Sequence, residues 1–242
     1  MDQKDVSSAN KRRRFLQFMS GSALMLAGRT AAGLESRINR GSAGDQKEEE
    51  VSPAEDLMRE HGVLKRILLI YGEGLRRIEA NEELPPRAVL DSAKIIRSFI
   101  EDYHEKLEED FLFPRFRTAK RLVDLVEVLS DQHRAGRRLT DTTLRLSTSQ
   151  ALKDPQGRKG LAESLRLFIR MYNPHEARED TVLFPAFRKL VSPNEYSSLG
   201  EEFEKKEHAL FGDKGFEAIV DRVAAIEKTL GIFDMAQFTP KV

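Results

Sequence analysis

The chain has 242 residues, 40% of them hydrophobic, enough for one sizeable buried core with length to spare. Its 40 basic residues balance its 40 acidic ones, so no net charge draws it toward nucleic acid or an anionic lipid surface. It has no cysteine, which excludes disulfides, iron–sulfur clusters and zinc–thiolate sites and leaves any metal to His, Asp and Glu.

Near the N-terminus a basic run, Lys11-Arg12-Arg13-Arg14, is followed by mostly apolar or small residues to position 28 and then by Thr30, Ala31 and Ala32. This is the order of an export signal, and it falls short of the ~20 apolar residues of a spanning helix. Arg12-Arg13-Arg14-Phe15-Leu16 resembles the twin-arginine signal, which reads two arginines, any residue, then Phe-Leu. The resemblance implies export of an already folded protein to a bacterial periplasm, with no stable membrane span after cleavage. Residues 1–32 are therefore expected to be the signal. Residues 33–52, polar and carrying three consecutive glutamates, are expected to be a flexible linker.

From Pro53 the periodicity is helical. Leu57, His61, Leu64, Leu68, Tyr71, Leu75 and Ile78 step alternately by four and three, which predicts one buried stripe with His61 on it. Leu84-Pro85-Pro86 breaks the chain. A second helix is expected from about Ala88 to Phe111, with Ile96, Ile100, His104 and Glu108 inward. A third is expected over roughly Lys120 to Leu146, with Leu122, Leu129, His133 and Gly136 inward. Residues 147–160 read as loop. The fourth helix carries Leu161, Leu165, Phe168, Tyr172, His175 and Glu179, with Pro174 expected to kink it. Shorter helices are expected near 193–208 and 215–230. No segment alternates long enough for a strand. The expected fold is all-α: an up-down-up-down four-helix bundle over 53–231, with the short C-terminal helices packed alongside and a tail at 232–242.

One stretch is written twice. HEKLEEDFLFPRFR begins at His104 and HEAREDTVLFPAFR at His175, 71 residues on; His61 and His133 lie 72 apart. The domain thus reads as a duplicated helix pair, each half contributing a lone histidine and then His-x-x-x-Glu. Residues at i and i+4 share a helix face, so His104 with Glu108, and His175 with Glu179, each offer an imidazole beside a carboxylate. With His61 and His133 this makes four imidazoles and two carboxylates converging in a core, where carboxylates are costly unless paired or metal-bound. Such a thiolate-free set suits iron, and less specifically manganese or zinc; two carboxylates able to bridge favour two metals. A lone histidine on an apolar face is usually a packed core residue, but four repeated with glutamates are not explained that way. His208 has no repeat partner and reads as a surface or packing residue. The Leu-Phe-Pro-x-Phe segments read as plugs at the bundle end, with the proline ending the helix.

At these residues the sequence resembles the hemerythrin-like, HHE cation-binding family, over about residues 53–190 and onward to about 231. The resemblance implies a four-helix bundle around a non-haem di-iron centre. Oxygen-carrying members use a lone His, then HxxxE, HxxxH and HxxxxD. His61, and His104 with Glu108, match the first two. His133 is followed four residues on by Arg137, so one imidazole is missing. His175 has both Glu179 and Asp180 at ligand spacing, and symmetry with Glu108 favours Glu179. The chain is closer to the four-histidine branch, in which a glutamate directly after a histidine also binds iron. That makes Glu105 and Glu176 further candidate ligands, with Tyr103, Tyr172 and Arg137 placed behind the ligands.

The leading expectation is a non-enzymatic, exported di-iron protein that binds a small diatomic ligand such as oxygen, or holds iron. Its rival is a di-iron peroxidase or oxidoreductase acting on peroxide or nitric oxide, using the same open position. A third reading, an oxygen or iron sensor, needs a separate partner, and nothing in the sequence names a protein partner.

Overall fold

The computed structural model describes residues 51–241, and the expected export signal and most of the expected linker lie outside that range. Among the described residues every regular element is helical, and no helix is long and apolar enough to cross a membrane. Helix α1 is Pro53–Glu79; Ser52 caps it by accepting from the Glu55 backbone N–H, with Pro53 in the first turn. Helix α2 runs without a break through Pro86–Ile95, Ile96–His104, Glu105–Leu107, Glu108–Leu112 and Phe113–Thr118. Then come α3 (Val123–Leu146), the short α4 (Ser149–Lys153) and α5. Helix α5 starts as Pro155–Arg178, passes through Glu179–Leu183 and ends as Phe184–Leu190. Each of the four long helices α1, α2, α3 and α5 packs on the next and α5 packs back on α1, closing the bundle. Helices α6 (Pro193–Phe211) and α7 (Gly215–Leu230) lie against α1, and α7 also against α2.

The expected loop at 147–160 is mostly helix. Thr148 caps α4 by accepting from the Ala151 N–H, and Asp154, ahead of Pro155, caps α5 by accepting from the Gly157 N–H. Thr148 and the Asp-Pro pair are start signals inside a polar stretch. The third helix starts at Val123 rather than Lys120, because Lys120 and Leu122 take left-handed backbone angles, and Leu122 faces solvent.

The prolines of the repeat do not end their helices. Helix α2 continues past Pro114 to Thr118, and α5 past Pro185 to Leu190. Each proline is preceded by a π turn, Glu108–Leu112 in one half and Glu179–Leu183 in the other. Phe113 N–H donates to the Glu108 carbonyl and Phe184 N–H to the Glu179 carbonyl. A proline has no N–H to give and its ring crowds the carbonyl of the preceding turn; the wider turn makes room for it. Both π turns therefore begin on the glutamates expected to be ligands. A longer π stretch, Ile96–His104, ends on the first histidine of the repeat. Phe99 and His104 are five residues apart where Phe168 and His175 are seven apart, and the wider turns of α2 bring both members of the shorter pair to the buried face.

Candidate metal centre

All six expected ligands are buried and meet in the middle of the bundle. They form two groups whose ligand atoms lie within 4.8 Å of one another: His61, His104 and Glu108, and His133, His175 and Glu179. The carboxylates tie the groups together. Glu108 Oε2 is 3.7 Å from His104 Nε2 and 3.4 Å from His133 Nε2. Glu179 Oε2 is 3.2 Å from His175 Nε2 and 3.4 Å from His61 Nε2. Each glutamate thus reaches one histidine of its own helix and one of the other group.

The outer nitrogens decide which face of each ring is free. His61 Nδ1 bonds Asp180 Oδ1 at 2.7 Å and His104 Nδ1 bonds Glu60 Oε2 at 2.7 Å. His133 Nδ1 bonds Glu109 Oε1 at 3.1 Å and His175 Nδ1 bonds Gln132 Oε1 at 2.8 Å. These are acceptor oxygens, so each Nδ1 donates a proton to its partner and each Nε2 faces the centre, where His61 Nε2 and His104 Nε2 lie 3.1 Å apart. Phe184 stacks on His61 and Phe113 on His133, each at 22°. The phenylalanines of the repeat therefore plug the bundle by roofing the imidazoles.

Asp180 and Glu179 divide the work that spacing alone left open: Glu179 faces the centre and Asp180 orients His61. Glu105 lies with Glu109 and His133 in a further group whose ligand atoms are within 4.8 Å of one another. Its Oε1 accepts from Tyr172 Oη at 2.6 Å and its Oε2 lies 2.8 Å from Arg137. Glu176 pairs with Lys65 in the matching place of the other half. Arg137 also reaches Glu109 at 2.7 Å, so the residue standing where an imidazole was missing holds two carboxylates behind His133. Tyr103 is buried against Phe99 and Phe211. His208 sits at the end of α6 beside Asp213, away from the site. Glu60, Glu109 and Gln132 were not singled out from the sequence. Aligning the halves would have found them, since Glu60 and Gln132 each precede a lone histidine and Glu109 falls opposite Asp180.

The protein groups by themselves are strongly biased. Burial pushes the Glu108 carboxyl well up, and the neighbouring Glu179 charge adds to it. Burial acts the same way on Glu179, but the His175 and His61 imidazoles outweigh it and hold that carboxyl low. His61 would be lowered by burial, yet Asp180 and Glu179 raise it to about 9. Burial, with the His61 charge beside it, pushes His104 down. Burial lowers His133 to about 4.

The donor set fits a metal. Both carboxylate oxygens of Glu108, both of Glu179, and His133 Nε2 are buried with no hydrogen-bond partner. Buried polar atoms left this way are costly, and a cation between the two groups would satisfy all of them. A surface cavity of about 250 Å³ is walled by Arg117, Ser130, Arg134 and Arg137 together with Glu109 and Phe113, the two residues that touch His133.

Comparison with known proteins agrees. The hemerythrin HHE cation binding domain matches residues 52–154 and again 124–238, the second match starting 72 residues after the first, as the duplicated helix pair requires. The chain is 48% identical over 231 residues to the uncharacterized proteins Rv1995 of Mycobacterium tuberculosis and Mb2018 of Mycobacterium bovis. The alignment covers 95% of this chain and 91% of each of theirs. No solved structure matches it. The chain is a metal-binding protein of the hemerythrin type, and it belongs to the hemerythrin HHE cation-binding domain family.

Proposed function

We propose that this protein holds two non-haem iron ions and uses them to bind oxygen or to retain iron. The observation that supports this most is the pair of glutamates, each within 4 Å of a histidine from both groups, with their oxygens otherwise unpartnered. A single metal would leave one group of donors unused. His61 and His104 would serve one ion, His133 and His175 the other, with Glu108 and Glu179 shared. Bound iron would supply a redox-active Lewis acid able to take up a small diatomic ligand. The chain's own residues do the rest: the Nδ1 acceptors hold the rings, and the phenylalanine roofs keep water off. Metal content per chain, on protein purified without oxygen, tests this. Close to two irons, lost in a His104→Ala/His175→Ala variant, is expected. A visible absorption band that appears with oxygen and fades when oxygen is removed would support the binding role; no band with full iron would refute it.

A second reading, turnover of peroxide or nitric oxide, has one observation in its favour. Tyr172 is an oxidisable phenol, its ring 5.2 Å from that of His175 and its hydroxyl proton given to Glu105. Steady peroxide consumption with a reductant, slowed by Tyr172→Phe, would favour it. We further propose export through the twin-arginine route, supported by Arg12-Arg13-Arg14-Phe15-Leu16. Arg12→Lys/Arg13→Lys should strand the protein in the cytoplasmic fraction; unchanged fractionation would refute this.

A further inference from the structure

The acceptors behind the four imidazoles are related residue by residue between the two halves, and they differ in one ionisable group. Glu60 precedes His61 and Gln132 precedes His133. Each reaches across to the other histidine of its group: Glu60 to His104 Nδ1 at 2.7 Å, and Gln132 to His175 Nδ1 at 2.8 Å. The His61–His104 pair is therefore backed by two carboxylates, Asp180 and Glu60. The His133–His175 pair is backed by one carboxylate, Glu109, and one neutral amide.

The remaining carboxylate on the second side is also diluted, because Arg137 and Lys106 both pair with Glu109. Behind His104 the acceptor belongs to a larger acidic group. Glu60 lies within 4.8 Å of the carboxylate oxygens of Asp56 and Glu207, all three buried.

An ionised acceptor makes a stronger hydrogen bond to Nδ1–H than an amide does, and it raises the donor strength of the opposite nitrogen. We propose that the residue before each lone histidine makes the two metal positions unequal, Glu60 strengthening the His61–His104 position and Gln132 leaving the His133–His175 position weaker. The two residues that back and cover His133 on this side, Glu109 and Phe113, also wall a surface cavity of about 250 Å³. The weaker position is thus the one at which a metal exchanges more readily. Glu60 and Gln132 are positioning residues that act through the imidazoles. This rests on the two-metal reading above.

The test is anaerobic titration of the full, metal-free chain with Co(II) in competition with a chelator, followed by the visible bands of the bound ion. Two steps per chain are expected, separated by about tenfold or more in affinity. Gln132→Glu should tighten the weaker step about tenfold and leave the tighter one unmoved; Glu60→Gln should weaken the tighter step by a similar factor. Two steps unmoved by both substitutions, or both substitutions moving the same step, would overturn the inference and leave two-metal binding standing. One cobalt per chain would overturn the two-metal reading itself. Both exchanges preserve side-chain shape. Gln132 is only partly buried, so the Gln132→Glu arm is decisive even if Glu60→Gln folds poorly.

Discussion

Gly136 lies in the middle of α3 facing Tyr172, and the fit there is tight enough to predict a sign change. A Cβ at Gly136 would stand 2.1 Å from Tyr172 Oη, 2.9 Å from Cζ and 3.0 Å from Cε2. Tyr172 is 1% exposed and its hydroxyl is committed to Glu105, so it has nowhere to retreat without abandoning a buried carboxylate. Overpacking of this kind costs ~1–3 kcal/mol. Losing the bond to Glu105 adds ~1.5–3 kcal/mol. Against this, alanine gains ~1 kcal/mol over glycine inside a helix. Gly136→Ala should therefore destabilise by about 1.5–5 kcal/mol. Tyr172→Phe removes the atom at 2.1 Å, and the nearest contact becomes the ring carbon at 2.9 Å, which a small ring shift relieves. In that background Gly136→Ala should cost less than ~1 kcal/mol, because clash and helix propensity nearly cancel. Urea unfolding of the four proteins of this double-mutant cycle, with chelator present throughout, gives the coupling directly. A coupling of at least ~1.5 kcal/mol is expected. Additive costs within ~0.5 kcal/mol would mean that the glycine does not exist to admit the tyrosine hydroxyl.

The two shared glutamates should respond oppositely to amidation in the metal-free protein. Glu108→Gln replaces a carboxyl whose charge burial already disfavours, and should change stability by less than ~1 kcal/mol. Glu179→Gln strips the partner from His61 and His175 and should cost ~3–5 kcal/mol; equal costs by urea unfolding would contradict the assignment. Metal uptake should release protons and strengthen with pH. His61 holds a proton up to about 9, so below that value a metal must displace it, and affinity should rise at least ~tenfold per pH unit between about 6 and 9. A pH-independent affinity from chelator competition would count against His61 as a ligand. Gly72→Ala, inside α1 with nothing within 4 Å of the added methyl, should raise stability by ~0.5–1 kcal/mol and leave metal content unchanged.

The helices and the ligand set were readable from the chain because both depend on spacing. Leu57 to Ile78 repeats at helical period, and His104 with Glu108, and His175 with Glu179, fall one turn apart on the same face. Copying the pattern at 71 and 72 residues marked the histidines as a set rather than as four packed rings. What packing decided lies between helices. Glu179 and Asp180 are neighbours in the chain, and only the position of α1 brings His61 Nδ1 to Asp180 and His61 Nε2 to Glu179 at the centre. Glu105 and Glu176 follow their histidines as candidate ligands, but Arg137 from α3 and Lys65 from α1 stand opposite them. The π turns at Glu108 and Glu179 were also unreadable, because proline predicts a lost backbone bond and not how the helix recovers from it. Periodicity places a side chain on a face of its own helix; what that face meets depends on the neighbouring helices, and that is set only when the bundle closes.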